Sequence, residues 1–185
     1  HCITLTLPRY ASAREGLQFI EKKRDWVMLQ IAKKLENIPF ADGQMIPVFG
    51  ESIRLCHKGG RGVMECQEGA LVVPGEKEFM PRRVRQWLKD QAKQEITSRA
   101  KNKAAQLGYK ISKITLRDTH SLWGSCNSKG NLTFSWRLVL APPDVLDYVI
   151  AHEVAHLAEL NHSQAFWRVV EGLCPHWKTS RAWLK

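Results

Sequence analysis

The sequence lacks the features of a membrane protein and of a disulfide-rich secreted domain. No hydrophobic run approaches the roughly 18 residues of a membrane span, and no signal peptide is visible. The 5 cysteines are widely spaced and form no CxxC pair, which excludes a zinc ribbon and a dense disulfide framework. We therefore expect a cytoplasmic protein with reduced thiols and no membrane partner. Only Cys56 and Cys66 are placed to face each other across a hairpin.

A nucleotide-binding phosphate loop is also missing. The glycine cluster at 59–62 lacks the GK[ST] ending and no helical pattern follows it, so it predicts a hairpin turn. No internal repeat and no low-complexity segment interrupts the 185 residues, of which 44% are hydrophobic and 25% charged. These values are typical of one globular domain, or of one core with two lobes.

Positive charge is in excess, with 28 lysines and arginines against 18 aspartates and glutamates, a net charge of +10. Part of the excess lies in a predicted helix over 82–103, where only Asp90 and Glu95 are acidic. Two interpretations stay open, a solvated helix face and a surface for nucleic acid, although no nucleic-acid-binding motif accompanies the run. The basic residues of this segment are Arg82, Arg83, Arg85, Lys89, Lys93, Arg99, Lys101 and Lys103.

The segment from His152 to His156 reads His-Glu-Val-Ala-His, an HExxH motif within an apolar helical pattern. Histidines four apart on a helix lie about 40° apart around its axis, so both imidazoles can reach one ion. Glu153, next to the first histidine, can touch a water at that ion without binding the ion itself. This is the arrangement of zinc peptidases, in which the glutamate is the general base.

His162 is the candidate for a third ligand. In a continuous helix it would stand about 240° around from His156 and point away, so the helix must end between them. Asn161 is a plausible stop and Ser163 a good N-cap for the next helix. Three protein ligands leave one position for water, which is typical of a catalytic zinc site with one ion per chain. Glu171 is the next choice for a third ligand.

Two further side chains near the motif, Tyr148 and Glu159, have two interpretations each. Tyr148, four residues before His152, is either a hydrogen-bond donor to the oxyanion or a packed tyrosine. Glu159 either accepts a hydrogen bond from a ligand imidazole or is solvated. Asp144 and Asp147 are expected to stabilise the dipole of the motif helix, and His120 and His176 to be surface or turn residues.

Periodicity predicts alternating blocks of helix and strand. We expect an N-terminal lobe over 1–75 and a core over 76–185, forming one compact unit. The predicted elements are a strand at 3–7, a helix at 12–36, a β-meander over 46–73, a helix from Pro81 to about Gly108, a strand at 111–117, a hairpin with arms 122–126 and 132–140, the motif helix from Pro142 to about Leu160, and a helix over 163–173.

Several blocks of the sequence resemble the YgjP-like metallopeptidase family. They are REGLQFIEKKRDW near the start, WGSC at Trp123–Cys126, KGNLTFSWRLVLAPPDVLDYVIAHEVAHL, and NHSQAFW at 161–167. The spacing of the histidines is also similar to SprT-like and Wss-type proteases, some of which act on proteins crosslinked to DNA. The chain departs from the family at Leu122, where an arginine is usual. Glu159 stands where metzincins have a glycine, which disfavours that class.

The resemblance implies an α+β fold with a zincin-like, minimal gluzincin-type core. In it the HExxH helix lies under a small sheet, with an N-terminal helix and β-meander lobe added. The strand carrying Trp123, Gly124, Ser125 and Cys126 would form the upper rim of a cleft and pair with an extended peptide. The implied function is a zinc metallopeptidase. Two alternatives are a DNA-associated protease acting on nucleic-acid-bound proteins and a non-enzymatic, zinc-stabilised interaction module.

Overall fold

A computed structural model of the chain describes residues 40–119 and 122–184. The predicted strand at 3–7 and helix at 12–36 lie outside the described residues. Two compact units divide the chain, one over 1–39 and one over 40–185. The predicted boundary between residues 75 and 76 stays a prediction, because the predicted N-terminal lobe over 1–75 extends beyond the described residues.

The first sheet contains β1 (Met45–Val48), β2 (Glu51–Lys58), β3 (Glu65–Gln67) and β4 (Ala70–Pro74). The strand order is β1-β2-β4-β3, with β2 and β4 parallel and the other pairs antiparallel. The predicted β-meander is therefore wrong, because β4 lies between β2 and β3. The segment 59–62 consequently joins two strands that are not paired, and it is not a hairpin turn.

Burial explains why β4 takes the inner position. Leu71 and Val73 of β4 are completely buried, as is Leu55 of β2, whereas all three residues of β3 are exposed. An inner β4 keeps the apolar strand covered and leaves the polar strand at the edge. Cys56 and Cys66 lie on opposite sides of β4, and both thiols are free.

A short 3-10 turn at Lys77–Phe79 leads into α1 (Met80–Gln106). Pro81 stands in its first turn, where the missing N–H costs nothing. Gly108, just past the helix, has a φ of 76°, which suits glycine and agrees with the predicted stop. One face of α1 is buried at regular spacing and joins the hydrophobic core through Val84, Leu88, Ala92, Ile96 and Ala100.

The second sheet contains β5 (Lys113–Arg117), β6 (Gly124–Cys126) and β7 (Asn131–Ser135), in the order β5-β7-β6. β5 is parallel to β7, and β6 is antiparallel to it. The predicted second arm of the hairpin continued to residue 140, but Trp136–Leu140 form a 3-10 helix. Leu138 and Val139 are neighbours and both are completely buried, which the alternating faces of a half-buried strand do not allow.

Three helices complete the described chain, namely α2 (Pro143–Ala155), α3 (Gln164–Leu173) and α4 (Trp177–Trp183). α2 ends five residues before the predicted Leu160, and α4 was not predicted. α2 packs against α1, α3, α4 and β6. The two sheets, α1, α2 and α3 contribute to one hydrophobic core. The fold is thus α+β, and no helix in the described part combines the length and apolar character of a membrane crossing.

Candidate metal centre

Three imidazoles converge where α2 ends and α3 begins. The ligand atoms of His152, His156 and His162 all lie within 4.8 Å of one another. The Nε2 atoms of His152 and His162 are 3.0 Å apart. In a tetrahedral zinc site with bonds of about 2.0–2.1 Å, ligand nitrogens stand roughly 3.4 Å apart. The three histidines therefore fit one divalent cation with small side-chain adjustments.

The break between the helices brings His162 to the other two histidines. α2 ends at Ala155, and the N–H groups of Leu157 and Ala158 bond three residues back, to Val154 and Ala155. The Ser163 hydroxyl then caps α3 by accepting a hydrogen bond from the Phe166 N–H at 3.3 Å. The helix was required to end before His162, and Asn161 was the expected stop. α2 ends earlier, at Ala155. The sequence over 157–160 gave no sign of this end, since Leu157, Ala158 and Leu160 are apolar and all four residues are compatible with helix.

The Nδ1 atoms of His156 and His152 differ in their hydrogen bonding. The Nδ1 atom of His156 is 3.0 Å from the main-chain oxygen of Glu159, so an Nδ1–H donated there leaves Nε2 free for a metal. The contact involves the backbone of Glu159, not the carboxylate that the sequence pointed to. Nδ1 of His152 is buried with no hydrogen-bond partner among the described residues.

Phe166 packs against all three imidazoles. Its ring centroid lies 5.0 Å from that of His152, 4.6 Å from that of His156 and 4.7 Å from that of His162. The side chain is completely buried, so it forms a rigid support for the three rings. No role at the site was predicted for Phe166 from the sequence. Its place in NHSQAFW, four residues after His162, was the available signal for a role at the site.

The surroundings keep two histidines neutral, which is the form that binds metals. Burial lowers the pKa of His152 to about 4, and the charges of His156, His162 and Arg181 act in the same direction. Burial also lowers the pKa of His156, despite the opposing hydrogen bond to Glu159. Cation binding at neutral pH therefore does not first require loss of a proton from either ring.

Glu153 lies next to the triad in a confined position. It is 6% exposed, and burial raises the pKa of its carboxyl group to about 7. Gly124 of β6 covers it, since a Cβ atom at Gly124 would stand 2.6 Å from Cγ and 2.7 Å from Oε1 of Glu153. A larger residue at 124 would therefore require Glu153 or β6 to shift, and a pKa near neutrality suits proton transfer.

A cavity of about 540 Å³ opens over the three histidines and Glu153. Leu122, Trp123, Gly124, Ser125 and Cys126 line one side, so the predicted rim strand does lie at the cavity. Leu122 is 61% exposed there, and Leu160 and Leu184 add further apolar surface. Burial and the nearby Glu153 raise the pKa of the Cys126 thiol to about 11, so it stays protonated at neutral pH.

Tyr148 also lines the cavity. Its ring centroid is 5.9 Å from that of His152 in an edge-on arrangement, and the side chain is 5% exposed. Burial raises the pKa of its hydroxyl, which keeps it a proton donor. Both interpretations of Tyr148, packing and donation to substrate, are compatible with this position.

Other predicted residues lie away from the site. Glu171 is exposed and does not belong to the metal-ligand cluster, and His176 is exposed before α4. Asp144 lies in the first turn of α2, as expected. Asp147 instead binds Lys103, with Oδ2 2.9 Å from Nζ. His120 lies outside the described residues.

Several charges of the basic segment 82–103 are engaged within the protein. Lys103 is buried and donates to Asp147 and to the main-chain oxygen of Leu173, at 2.9 and 2.6 Å. Arg99 pairs with Glu95, and Arg83 donates to the main-chain oxygen of Pro74. Nucleic-acid binding by this helix stays a prediction, carried by the exposed members of the segment.

Comparison with known proteins identifies the class. No curated protein sequence matches the chain. The crystal structure of the metallopeptidase zymogen of Pyrococcus abyssi abylysin is similar with a TM-score of 0.44 and 22% identity, over 48% of this chain and 90% of that one. The sequence model of the YgjP-like family, described as a metallopeptidase domain, matches residues 1–185. The chain therefore belongs to the YgjP-like family of metallopeptidase domains.

Proposed function

We propose that the protein is a zinc-dependent metallopeptidase with a zincin-like core, in which His152, His156 and His162 hold one zinc ion and Glu153 is the general base. The observation that carries the proposal is the convergence of three imidazoles within 4.8 Å beside a buried carboxyl group. Three nitrogen donors suit zinc and leave a position open for a water or a substrate.

The division of labour follows from the surroundings of each group. A bound zinc ion would supply Lewis acidity, lowering the pKa of a water toward neutrality and polarising the substrate carbonyl. Glu153 would accept the proton of the attacking water and pass it to the leaving amine. Its pKa of about 7 suits both directions of transfer. Tyr148, protonated and at the cavity wall, is our candidate donor to the developing oxyanion.

The substrate would enter as an extended strand. β6 is an edge strand of its sheet, and its residues line the cavity. An edge strand offers unpaired N–H and C=O groups to a peptide, which fixes the peptide by main-chain hydrogen bonds. The exposed side chains of Leu122, Trp123 and Leu160 would then contact apolar side chains of the substrate.

The test is a comparison of wild type with Glu153→Gln, using Glu171→Gln as the matched control. We expect Glu153→Gln to retain about one zinc per chain and to lose about 10²–10⁴ in cleavage rate, the usual contribution of a general base. Glu171 is exposed on α3, and its variant should cleave like the wild type. Equal cleavage by Glu153→Gln and wild type would refute the proposed base. A zinc-loaded wild type inert towards a broad peptide library would favour the non-enzymatic module.

A further inference from the structure

Arg181 presents a positive charge beside the cleft. It is exposed on α4, and its Cζ atom lies 4.8 Å from the ring centroid of Trp167. Among residues 40–119 and 122–184, no carboxylate lies within ion-pairing distance of its guanidinium group. Since none of the described carboxylates pairs with it, the guanidinium group on the Trp167 ring is available to a ligand.

The ring under Arg181 is itself fixed at the metal centre. Trp167 lies 5.9 Å from the ring centroids of both His152 and His162, and it stacks on Trp177 at 4.6 Å. Stacking on an indole restricts the guanidinium group and leaves its N–H groups free at the edge of the plane. Less side-chain entropy is then lost when the arginine binds a partner.

Arg181 also points to the side of α4 that faces the cavity. Leu184 follows it by three residues, so the two share a helix face, and Leu184 lines the cavity. The Trp167 ring that carries the guanidinium group contacts His152 and His162, which also line the cavity.

We propose that Arg181 is a specificity-determining residue that binds a carboxylate of the peptide substrate, either an acidic side chain or the C-terminal carboxylate. The inference rests on the proposed peptidase function. Arg181 is not part of the cavity lining itself, so it would reach a group one or more residues away from the bond to be cut. Glu153 is the sole carboxylate among the described residues that line the cavity, and it is buried. The planar guanidinium group can bind a carboxylate through two hydrogen bonds.

The experiment measures peptide binding to the zinc-loaded Glu153→Gln protein, which should not turn over. One peptide series carries a glutamate or a glutamine at each position in turn with an amidated C-terminus, and a second series has a free C-terminus. We expect at least one carboxylate-bearing peptide to bind about fivefold or more tightly than its neutral partner at ~50 mM salt, as a charged hydrogen bond gives. The two series separate side-chain from C-terminal recognition.

Adding Arg181→Gln should abolish this preference, and Arg181→Lys should restore part of it. Arg168→Gln is the matched control, because Arg168 is exposed on the neighbouring α3 and the variant removes the same charge. It should keep the preference. A preference that survives Arg181→Gln, or no preference in either series, would overturn the inference. Wild-type cleavage of neutral and acidic peptides at equal rates would also reject the role of Arg181 while leaving the peptidase function intact.

Discussion

Two buried ionisable residues differ in their surroundings: Lys103 has partners within the fold, whereas Glu153, the proposed general base, has none among the described residues. Lys103 is 9% exposed, and its ammonium group binds the Asp147 carboxylate and the Leu173 carbonyl. Glu153 is 6% exposed and has no hydrogen bond or ion pair with any described residue. Burial without a partner normally costs stability, and such groups cluster at functional sites.

The positions of the two residues follow the same division. Lys103 joins α1 to the beginning of α2 and the end of α3, far along the chain from both. Glu153 lies near the other end of α2, beneath Gly124 and beside the three histidines. One end of α2 is thus fixed by an ion pair, and the other carries the proposed general base and metal ligands. The predictions below test this contrast.

The largest effect is expected from Glu153 in the metal-free protein. The carboxyl group keeps its proton to about pH 7 when folded, against an ordinary value of 4.5. Unfolding therefore releases a proton between these values, so rising pH favours the unfolded state. The loss of folding stability is absent below pH 4.5 and complete above about pH 7, where it reaches about 3 kcal/mol.

Glu153→Gln removes this titration. The free energy of unfolding of the variant should exceed that of wild type increasingly as the pH rises from 4.5 to about 7, measured by denaturant titration with a chelator present. The lowered pKa of His152 acts with the opposite sign, but it is present in both proteins and cancels to first order. A constant difference across that range would mean that Glu153 is not desolvated.

The next largest effect is expected from Gly124→Ala. The added methyl group would stand 2.6 Å from Cγ of Glu153, so the carboxylate or β6 must move. A displacement of about 1 Å at a reacting group costs on the order of 100-fold in rate. Steady-state cleavage should fall by that order with zinc content unchanged.

Gly172→Ala is the control for this substitution. Its added Cβ meets nothing within 4 Å, so activity should stay at the wild-type level. Full activity of Gly124→Ala would show that the position of Glu153 tolerates crowding, and that the contact with Gly124 has no part in catalysis.

The smallest of the three effects is expected from Lys103→Met. The substitution keeps the apolar stem but leaves the Leu173 carbonyl without its donor, and it leaves Asp147 with the Arg99 guanidinium group at 3.5 Å as its remaining ion pair. Because the Asp147 side chain is 27% exposed, we discount the usual cost of a broken buried pair to about 2 kcal/mol. Thermal unfolding should report the loss, whereas Lys101→Met, at an exposed position, should change little. Loss of zinc binding by folded Lys103→Met would contradict a purely structural role for Lys103.

Local spacing made the cluster of three histidines predictable. His152 and His156 are one helical turn apart, and His162 follows within six residues, so few conformations bring them together. Ser163 and Pro81 stand at the helix starts that their chemistry favours. The start of α2 and the span of α1 were likewise predicted within a residue or two, because caps and stops are encoded in neighbouring residues.

Longer-range arrangements were not predictable in the same way. The insertion of β4 between β2 and β3 depends on which strand the rest of the core covers, which alternation along one strand does not reveal. The early end of α2 was hidden by helix-compatible residues at 157–160. The contact of Gly124 with Glu153 and the approach of Arg181 to the cleft arise from tertiary packing, and no spacing in the sequence indicates either.

X-ray absorption at the zinc edge tests the central claim most directly. Metal-free protein reconstituted with zinc should bind about one ion per chain, with three nitrogen ligands at about 2.0–2.1 Å and one further oxygen ligand. His162→Ala should lose one nitrogen ligand and bind the ion more weakly. A first coordination sphere that contains sulfur, or a His162→Ala protein with unchanged coordination and affinity, would contradict a catalytic centre built from His152, His156 and His162.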